Sequence, residues 1–372
     1  MAERLKDIIE IIEGLAPKKT AETWDNVGLQ VGGLQDDVSK VLITLDVTEA
    51  VLTEAKEKKV DLIVAHHPII FKAVKSISKD DPKGRLLYQA IQNNVALYAA
   101  HTNIDVVIGG LNDQLALKLG LEETEILQVT NQQEYYKIVV FVPLGHEEEV
   151  ANALASAGAG HIGNYSHCSF RSKGIGTFMA LEGTNPFIGT KGNLEKVEEI
   201  RLETIIKKED LSQALKGMIQ THPYEEVAYD IYPIINSQPV TGIGRVGTLE
   251  EPVKVSIMVD KIKTSLGIEK VKFSGDVNTH LKKVAIVNGS GADLIFDAIK
   301  AKCDCLITGD VKYHDAQIAL DYGLNVIDIG HYESEVLFVQ WMTEYLTVKS
   351  KEKGLNIEII PSETDLNPFQ LL

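Results

Sequence analysis

The fold of this chain is decided by one stretch near its N-terminus, VLITLDVTEAVLTEAKEKKVDLIVAHH, residues 41–67. Two short apolar runs flank a longer segment with helical spacing, which predicts strand, turn, helix, strand. The second run, LIVA at 62–65, is partly β-branched and ends before Pro68, which cannot continue a hydrogen-bonded ladder. The pattern therefore predicts a buried strand of a parallel sheet that ends at His66 and His67.

The same pattern recurs far along the chain. Residues 284–310, VAIVNGSGADLIFDAIKAKCDCLITGD, align with 41–67 without a gap, and their apolar positions match although few residues are identical. After a spacer of different length, 95–97 correspond to 325–327, and HTNID at 101–105 corresponds to HYESE at 331–335. We interpret this as an internal duplication, which predicts a duplicated α/β core whose two halves form one unit.

Histidines and carboxylates follow the predicted strands in both copies. His101 precedes Asp105, and His331 precedes Glu335, by four residues, so on a helical turn each pair lies on one face. Ligands of open α/β sheets collect at the carboxyl ends of the strands. Folding the halves together would bring five candidate metal ligands into one cluster: His66, His67, Asp105, His331 and Glu335.

Three imidazoles and two carboxylates are too many for one structural tetrahedral zinc and suit two ions that share a bridging carboxylate. The alternative for the second copy is a helix start with a solvated Glu335 and a hydrogen-bonded His331. We expect two divalent ions per chain, zinc in the first place, with iron or manganese as the other metals that such ligands accept.

Other polar residues near this predicted cluster can be interpreted in more than one way. His101 and His314 are candidate proton shuttles for a metal-bound water, or hydrogen-bonding groups that orient a ligand. By the repeat, we expect Asp310 or His314 to point toward the same cleft. Trp24, Asp25 and Asn26 form a substrate wall, unless Asp25 only caps a turn. The glycine-rich turn at 288–291 is a βα turn that could bind an anion, although it lacks the lysine of a P-loop.

Composition narrows the class of protein. The net charge of −16 and the lack of a Lys/Arg cluster argue against a nucleic-acid partner. No apolar stretch approaches the roughly 18 residues of a membrane span, and the N-terminal segment reads as an amphipathic helix rather than a signal peptide. Three cysteines without C-x-x-C spacing fit a reducing compartment. We therefore expect a cytoplasmic protein without membrane partners.

The sequence pattern of residues 128–239 differs from that of the two halves. Strands are predicted at 136–143 and 197–206, and a final strand ends at 233. Helices are predicted at 147–157 and 210–219. We compare this stretch with ferredoxin-like α+β domains, whose full pattern is strand, helix, strand, strand, helix, strand. We therefore expect an inserted ferredoxin-like domain at 128–239, within a core made of 1–127 and 240–372.

Four motifs in order give the chain a family resemblance. WDNVGLQVG at 24–32, HHP at 66–68, HTNID at 101–105 and GHYESE at 330–335 resemble those of the NIF-three-like proteins, also called GTP cyclohydrolase I type two homologues. GNY at 163–165, PFIG at 186–189 and HPYE at 222–225 resemble the PII/CutA-like domain that some members carry as an insertion. The resemblance implies a dinuclear metal centre on the five ligands above and a toroidal homohexamer.

The predicted function is metal-dependent hydrolysis of a small-molecule or nucleotide substrate. If the family name applies, the reaction is opening of the imidazole ring of GTP with release of formate. One alternative is a metal-binding or metal-delivering regulator without turnover, in which the PII-like insertion is a sensor. A scaffold that binds other proteins is a third reading.

Overall fold

The computed structural model describes residues 3–235 and 240–370. The chain divides into two units, one made of Met1–Asn131 with Thr241–Leu372, and the other of Gln132–Val240. We refer to them as the core unit and the inserted unit. Within the described residues, no helix has both the length and the apolar character that crossing a bilayer requires.

The elements are numbered in chain order. The strands are β1 (Glu3–Arg4), β2 (Gly28–Val31), β3 (Asp37–Val38), β4 (Lys40–Thr44), β5 (Leu62–Ala65), β6 (Ala96–Ala99), β7 (Glu122–Gln132), β8 (Tyr135–Pro143), β9 (Ser169–Met179), β10 (Leu194–Lys207), β11 (Tyr229–Ile234), β12 (Val240–Lys254), β13 (Lys272–Ser274), β14 (His280–Ser290), β15 (Cys305–Gly309), β16 (Asn325–Asp328) and β17 (Glu358–Pro361). The α-helices are α1 (Leu5–Leu15), α2 (Glu49–Glu57), α3 (Pro82–Gln92), α4 (Thr102–Val106), α5 (Leu111–Lys118), α6 (Glu147–Ser156), α7 (Lys208–Thr221), α8 (Val255–Leu266), α9 (Ile295–Lys300), α10 (Tyr313–Asp321), α11 (His331–Glu335) and α12 (Leu337–Glu352).

The first sheet of the core unit has the strand order β17-β4-β5-β6-β2. β17, β4, β5 and β6 are parallel to their neighbours, and β2 is antiparallel to β6. The strand, helix and strand expected over 41–67 are present as β4, α2 and β5. The helix begins after Thr48, whose hydroxyl accepts a hydrogen bond from the Val51 amide and so satisfies one free N–H of the first turn.

The second sheet of the core unit has the order β13-β16-β15-β14-β12-β7. β14, β15 and β16 are parallel neighbours, whereas β12 and β13 pair antiparallel with β14 and β16. The first sheet therefore contains four adjacent parallel strands and the second contains three. The residues after these strands, which include all the predicted ligands, lie at the carboxyl ends of the two sheets.

Helices cover both faces of the two sheets. On the first sheet, Ile8 of α1 and Phe338 of α12 pack on one face, while Leu52 of α2 and Leu87 of α3 pack on the other. On the second sheet, α5 and α8 cover one face and α9 and α10 the other. Strands covered on both faces read as continuous apolar runs, as β5 does. The expected mixed α/β class is confirmed.

The inserted unit has one antiparallel sheet in the order β11-β8-β10-β9. Its elements follow each other as strand, helix, strand, strand, helix, strand. α6 and α7 pack on one face of this sheet, where Leu154 and Met218 meet Val140 and Leu202. The opposite face carries the residues that alternate with these along each strand.

Candidate metal centre

The residues that follow the parallel strands of both sheets meet in one cluster. His66 and His67 come directly after β5, and Asp105 lies on α4, the helical turn that follows β6. His331 and Glu335 form the two ends of α11, which follows β16. The i, i+4 pairs expected on helical turns are therefore present. His66 is fully buried and Glu335 is 3% exposed, so the inner part of the cluster is withdrawn from water, whereas the His331 side chain is 37% exposed.

Glu335 lies at the centre of this cluster. Its Oε2 is 3.0 Å from Nε2 of His67 and 3.1 Å from Nε2 of His331. Its Oε1 faces the other way, 3.6 Å from Nε2 of His66. The two oxygens of one carboxylate thus face two different sets of imidazole nitrogens, the arrangement expected of a bridging ligand.

His66 provides the clearest test of whether a cation fits. Its Nδ1 is 2.8 Å from the carbonyl oxygen of Ala100, which can only accept, so Nδ1 carries the proton. Its Nε2 is buried without a hydrogen-bond partner, 3.8 Å from Oδ1 of Asp105 and 3.6 Å from Oε1 of Glu335. In the neutral imidazole a lone pair then faces two carboxylate oxygens, and a cation between them would satisfy all three atoms.

The pKa values of the two carboxyl groups also bear on whether a cation fits. Burial alone would raise the pKa of Glu335, but the surrounding imidazoles, His66 first, hold it well below its usual range. Burial raises the pKa of Asp105, and the nearby charge of Glu335 adds to the increase. The raised pKa of Asp105 indicates that the charge of its carboxylate is not fully offset within the cluster, and a divalent ion would offset it.

Carboxylates behind the imidazoles orient two of them. Nδ1 of His67 is 2.9 Å from Oδ1 of Asp46, and Nδ1 of His331 is 2.7 Å from Oδ2 of Asp310. Such pairs keep the proton on Nδ1 and leave the Nε2 lone pair for a metal. Asp310, which the sequence directed toward this cleft, is thus placed behind a predicted ligand. Asp46 was not predicted, although its position just after β4 is the type of signal that singled out the histidines.

His101 lies among the candidate metal ligands, although we predicted only a supporting role for it. With His66 and His67 it forms a group whose ligand atoms lie within 4.8 Å of one another, and His67, His331 and Glu335 form a second such group. Nδ1 of His101 is 3.0 Å from Oδ1 of Asp25. The position is compatible with a proton shuttle, an orienting group or a ligand, so its role stays a prediction.

Asp25 has a different place from the substrate wall or simple turn cap that we expected. Its carboxylate accepts hydrogen bonds from the backbone and the hydroxyl of Thr102, besides facing His101. Burial would raise its pKa, but the hydrogen bonds from His101 and Thr102 outweigh it and lower the pKa to about 2. Asp25 therefore holds the start of α4 and the His101 ring in place. Trp24 is 56% exposed and lies beside His101 and Phe71. Its ring is therefore accessible to a ligand, and its part in a substrate wall stays a prediction.

His314 lies apart from the groups of candidate ligands found among the described residues. It is on the first turn of α10, exposed, with its Nδ1 3.0 Å from Oε1 of Gln317. Helix α10 lies beyond Asp310, the last residue that matches the first copy. The repeat therefore does not predict the position of His314. The proton-shuttle role of His314 stays a prediction that these contacts do not favour.

The glycine-rich segment expected as a βα turn at 288–291 is mostly the last part of β14, and it supports the carboxylates. The Asn288 amide donates to Oδ1 of Asp105 at 2.9 Å and to Oε1 of Glu335 at 3.3 Å. Gly289 has a φ of +63°, and a Cβ there would stand 2.3 Å from Oε1 of Glu335. The amide N–H groups of Gly289 and Gly291 already donate to side-chain hydroxyls of the core unit. These donors are therefore not free for the anion that we considered at this turn.

Comparisons with known proteins agree with these motifs. A family model described as Duf34/NIF3 (NGG1p interacting factor 3) matches residues 3–368. A Bacillus subtilis (strain 168) protein named GTP cyclohydrolase 1 type 2 homolog is 46% identical over 367 residues, 99% of this chain and 98% of that protein. The crystal structure of a Bacillus cereus protein related to NIF3 has a TM-score of 0.78 at 42% identity and covers 100% of both chains.

A Staphylococcus aureus crystal structure has a TM-score of 0.85 at 31% identity, covering 100% of this chain and 99% of that one. The likeness extends over both units of the chain. The chain therefore belongs to the Duf34/NIF3 family.

Proposed function

We propose that the core unit binds two divalent cations and uses them to hydrolyse a small-molecule or nucleotide substrate. The observation that carries this proposal is the placement of Glu335, whose two oxygens face separate imidazole sets. His66, Asp105 and Oε1 of Glu335 would hold one ion. His67, His331 and Oε2 of Glu335 would hold the other, with zinc, iron or manganese as the metal.

A pair of divalent ions lowers the pKa of a coordinated water, so that hydroxide exists near neutral pH. The protein's own part is to orient and to exchange protons. Asp46 and Asp310 keep the proton of their partner imidazoles on Nδ1, and Asn288 separates the charges of Asp105 and Glu335. His101, held by Asp25, lies where a proton could be accepted from the reacting group.

GTP is the first substrate to test, because the relatives carry the name of a GTP cyclohydrolase homologue. We would measure formate release from GTP by protein reconstituted separately with Zn, Mn and Fe(II), together with the number of ions bound. The Asp105→Ala, Glu335→Ala double variant is expected to lose both ions and all turnover. Glu344→Gln, which removes an exposed carboxylate from α12, is the matched control and should keep both.

Formate that depends on Asp105 and Glu335 would support GTP ring opening and name the metal. Two ions per chain without formate would exclude this substrate and leave the metal centre in place. Fewer than two ions under saturating metal would contradict the dinuclear arrangement itself.

A second candidate is a metal-binding regulator without turnover. It is favoured by one observation: the inserted unit is a separate unit with a cavity of its own. Tight metal binding without hydrolysis of GTP, phosphate esters or cyclic amides would favour this candidate over the hydrolase.

We also propose the finer architecture that the sequence predicts. In it, β4-α2-β5 and β14-α9-β15 are duplicated halves, the inserted unit is a ferredoxin-like domain of the PII/CutA type, and six chains form a ring. The parallel pairing of β4 with β5 and of β14 with β15 supports the first point. Sedimentation equilibrium would test the last, with six chains of 40.9 kDa expected per particle.

A further inference from the structure

The inserted unit contains a cavity that plays no part in the proposed metal chemistry. Its volume is about 390 Å³, within the range of small-molecule sites. Two segments that the sequence singled out, PFIG at 186–189 and HPYE at 222–225, supply part of its lining together with β9 and β10. The cavity lies on the sheet face opposite the helices, since Phe141 and Glu199 alternate with core residues of β8 and β10.

A nearly buried carboxylate lies in the wall of this cavity. Glu199 is 8% exposed, and its Oε1 accepts a hydrogen bond from the Tyr224 hydroxyl at 3.0 Å. Space for Oε2 comes from Gly176, where a Cβ would stand 2.1 Å from that oxygen. Across residues 3–235 and 240–370, no Lys, Arg or His lies within ion-pair distance of Glu199. A carboxylate withdrawn from water without a cation is costly, and a cationic ligand would offset that cost.

Three aromatic rings lie near one another in the lining of the same cavity, and one of them is that of Tyr224. The ring of Tyr224 is 6.1 Å from that of Phe178 and 6.3 Å from that of Phe187. His222 holds the Tyr224 segment in place, because its Nδ1 accepts from the Tyr224 amide and its Nε2 then donates to the Phe141 carbonyl. Rings of this kind attract ammonium groups through their negative faces.

The charge of the lining decides the class of ligand. Among the described residues, those lining the cavity include Glu199, Glu225 and Glu226 but no lysine, arginine or histidine. A phosphate or carboxylate ligand would find no positively charged side chain in this lining and three carboxylates that repel it. The remaining walls are mostly apolar, so the ligand's body should be apolar as well.

We propose that this cavity binds a small organic cation, an ammonium group carried on a compact apolar body. The ammonium group contacts Glu199 between the rings of Phe178, Phe187 and Tyr224, and the apolar part fills the rest of the cavity. This site is independent of the metal centre and of whether the core unit has a hydrolytic activity.

The test is calorimetric titration of the intact protein with choline and with 3,3-dimethylbutan-1-ol, its uncharged counterpart of the same shape. We expect choline to bind at least about tenfold more tightly than the alcohol, as for a cation held by a desolvated charge and rings. Glu199→Gln should remove most of this preference. Glu198→Gln, which neutralises an exposed carboxylate next to it on β10, should leave it unchanged.

Phe187→Ala is a second variant that does not depend on a buried position, because Phe187 is 54% exposed. It should weaken choline binding severalfold while the melting temperature stays near that of the parent protein. Binding should persist in the Asp105→Ala, Glu335→Ala variant. Equal affinity for choline and the alcohol, absence of binding at millimolar choline, or full binding by folded Glu199→Gln and Phe187→Ala proteins would overturn the proposal.

Discussion

At the scale of single residues, Asn288 shows how a neutral side chain can hold two acidic groups together. Its amide donates to both Asp105 and Glu335, and its backbone N–H donates to Oδ1 of Asn112. The side chain is therefore fixed on one side by the fold and directed on the other at the two carboxylates. Outer partners of this kind orient metal ligands and tune their affinity.

We expect Asn288→Ala to bind metal about 10- to 100-fold more weakly, the usual effect of removing such a partner. The reason is that Asp105 and Glu335 lose the donor between them and repel each other. Competition titration with a chelating indicator would measure the change. Ser290→Ala, on the exposed neighbouring position of β14, is the control, and equal affinities of the two variants would show that Asn288 does not orient the ligands.

At the scale of elements, Glu54 of α2 ties down the chain after β17. Its carboxylate accepts hydrogen bonds from the hydroxyls of Ser362 and Thr364, from the Glu363 amide and from the Lys58 ammonium. Burial would raise the pKa of Glu54, but the hydrogen bonds, that from Lys58 first, lower it from 4.5 to about 2. One ionised carboxylate therefore joins helix and C-terminal segment.

Glu54→Gln should lower the free energy of unfolding at neutral pH by about 1–3 kcal/mol, the range for hydrogen bonds to a charged group. Because the pKa is lower in the folded than in the unfolded chain, this stabilisation is complete above about pH 4.5 and is lost as the pH falls toward 2. Urea unfolding of both proteins across this range measures it. Glu57→Gln, exposed on the same helix, should differ little from the parent, and a constant gap between parent and Glu54→Gln would contradict the assignment.

Arg245 of β12 joins three elements inside the core unit. Its guanidinium, almost fully buried, forms two hydrogen bonds with Asp113 of α5, at 2.8 and 2.7 Å. The remaining donors bond the carbonyl groups of Gly242, Gly244 and Val107. Val107 directly follows α4, so this arginine also holds the end of the helix that carries Asp105.

Arg245→Met should cost about 3–5 kcal/mol of unfolding free energy, because it leaves Asp113 and three carbonyl groups without their donor. Adding Asp113→Leu should recover part of that loss, since the unpaired carboxylate is then removed. Denaturant unfolding of the two single variants and the double variant forms the cycle that separates these effects. A double variant no more stable than Arg245→Met would contradict a penalty from the unpaired carboxylate.

The sequence predicts the candidate metal ligands better than it predicts the residues that orient them. The strand ends at His66, His67 and the turns after β6 and β16 follow from apolar runs and helical spacing, which are local signals. Asp46 was not predicted, and Asn288 was interpreted only as part of a possible anion-binding turn, because the partners of both residues lie on other segments and are known only once the chain is folded. His314 was placed by extending the repeat past its last matching residue, where α10 follows its own course.

At the scale of the whole molecule, the inserted unit leaves and returns between neighbouring strands of one sheet. β7 leads into it, β12 leads out of it, and the two are adjacent in the second sheet of the core unit. They run so close that a Cβ at Gly242 would stand 2.1 Å from the carbonyl oxygen of Gln128. Gly242 faces Gln128 whereas Gly247 faces Leu121, so the two strands run antiparallel. A short hairpin turn can join such strands, so removing the unit need not disturb the sheet.

We therefore expect a chain in which residues 132–240 are replaced by a short Asn-Gly turn to fold and to bind metal as the full chain does. All five predicted ligands and their partners Asp46, Asp310 and Asn288 lie in the core unit. Metal content and a single cooperative melting transition would be measured, with the Glu335→Ala version of the shortened chain as the metal-free control. If the shortened chain folds but no longer binds metal, the inserted unit supplies something that the site needs. If it keeps its metal and loses only a response to organic cations, the two units carry separate binding functions.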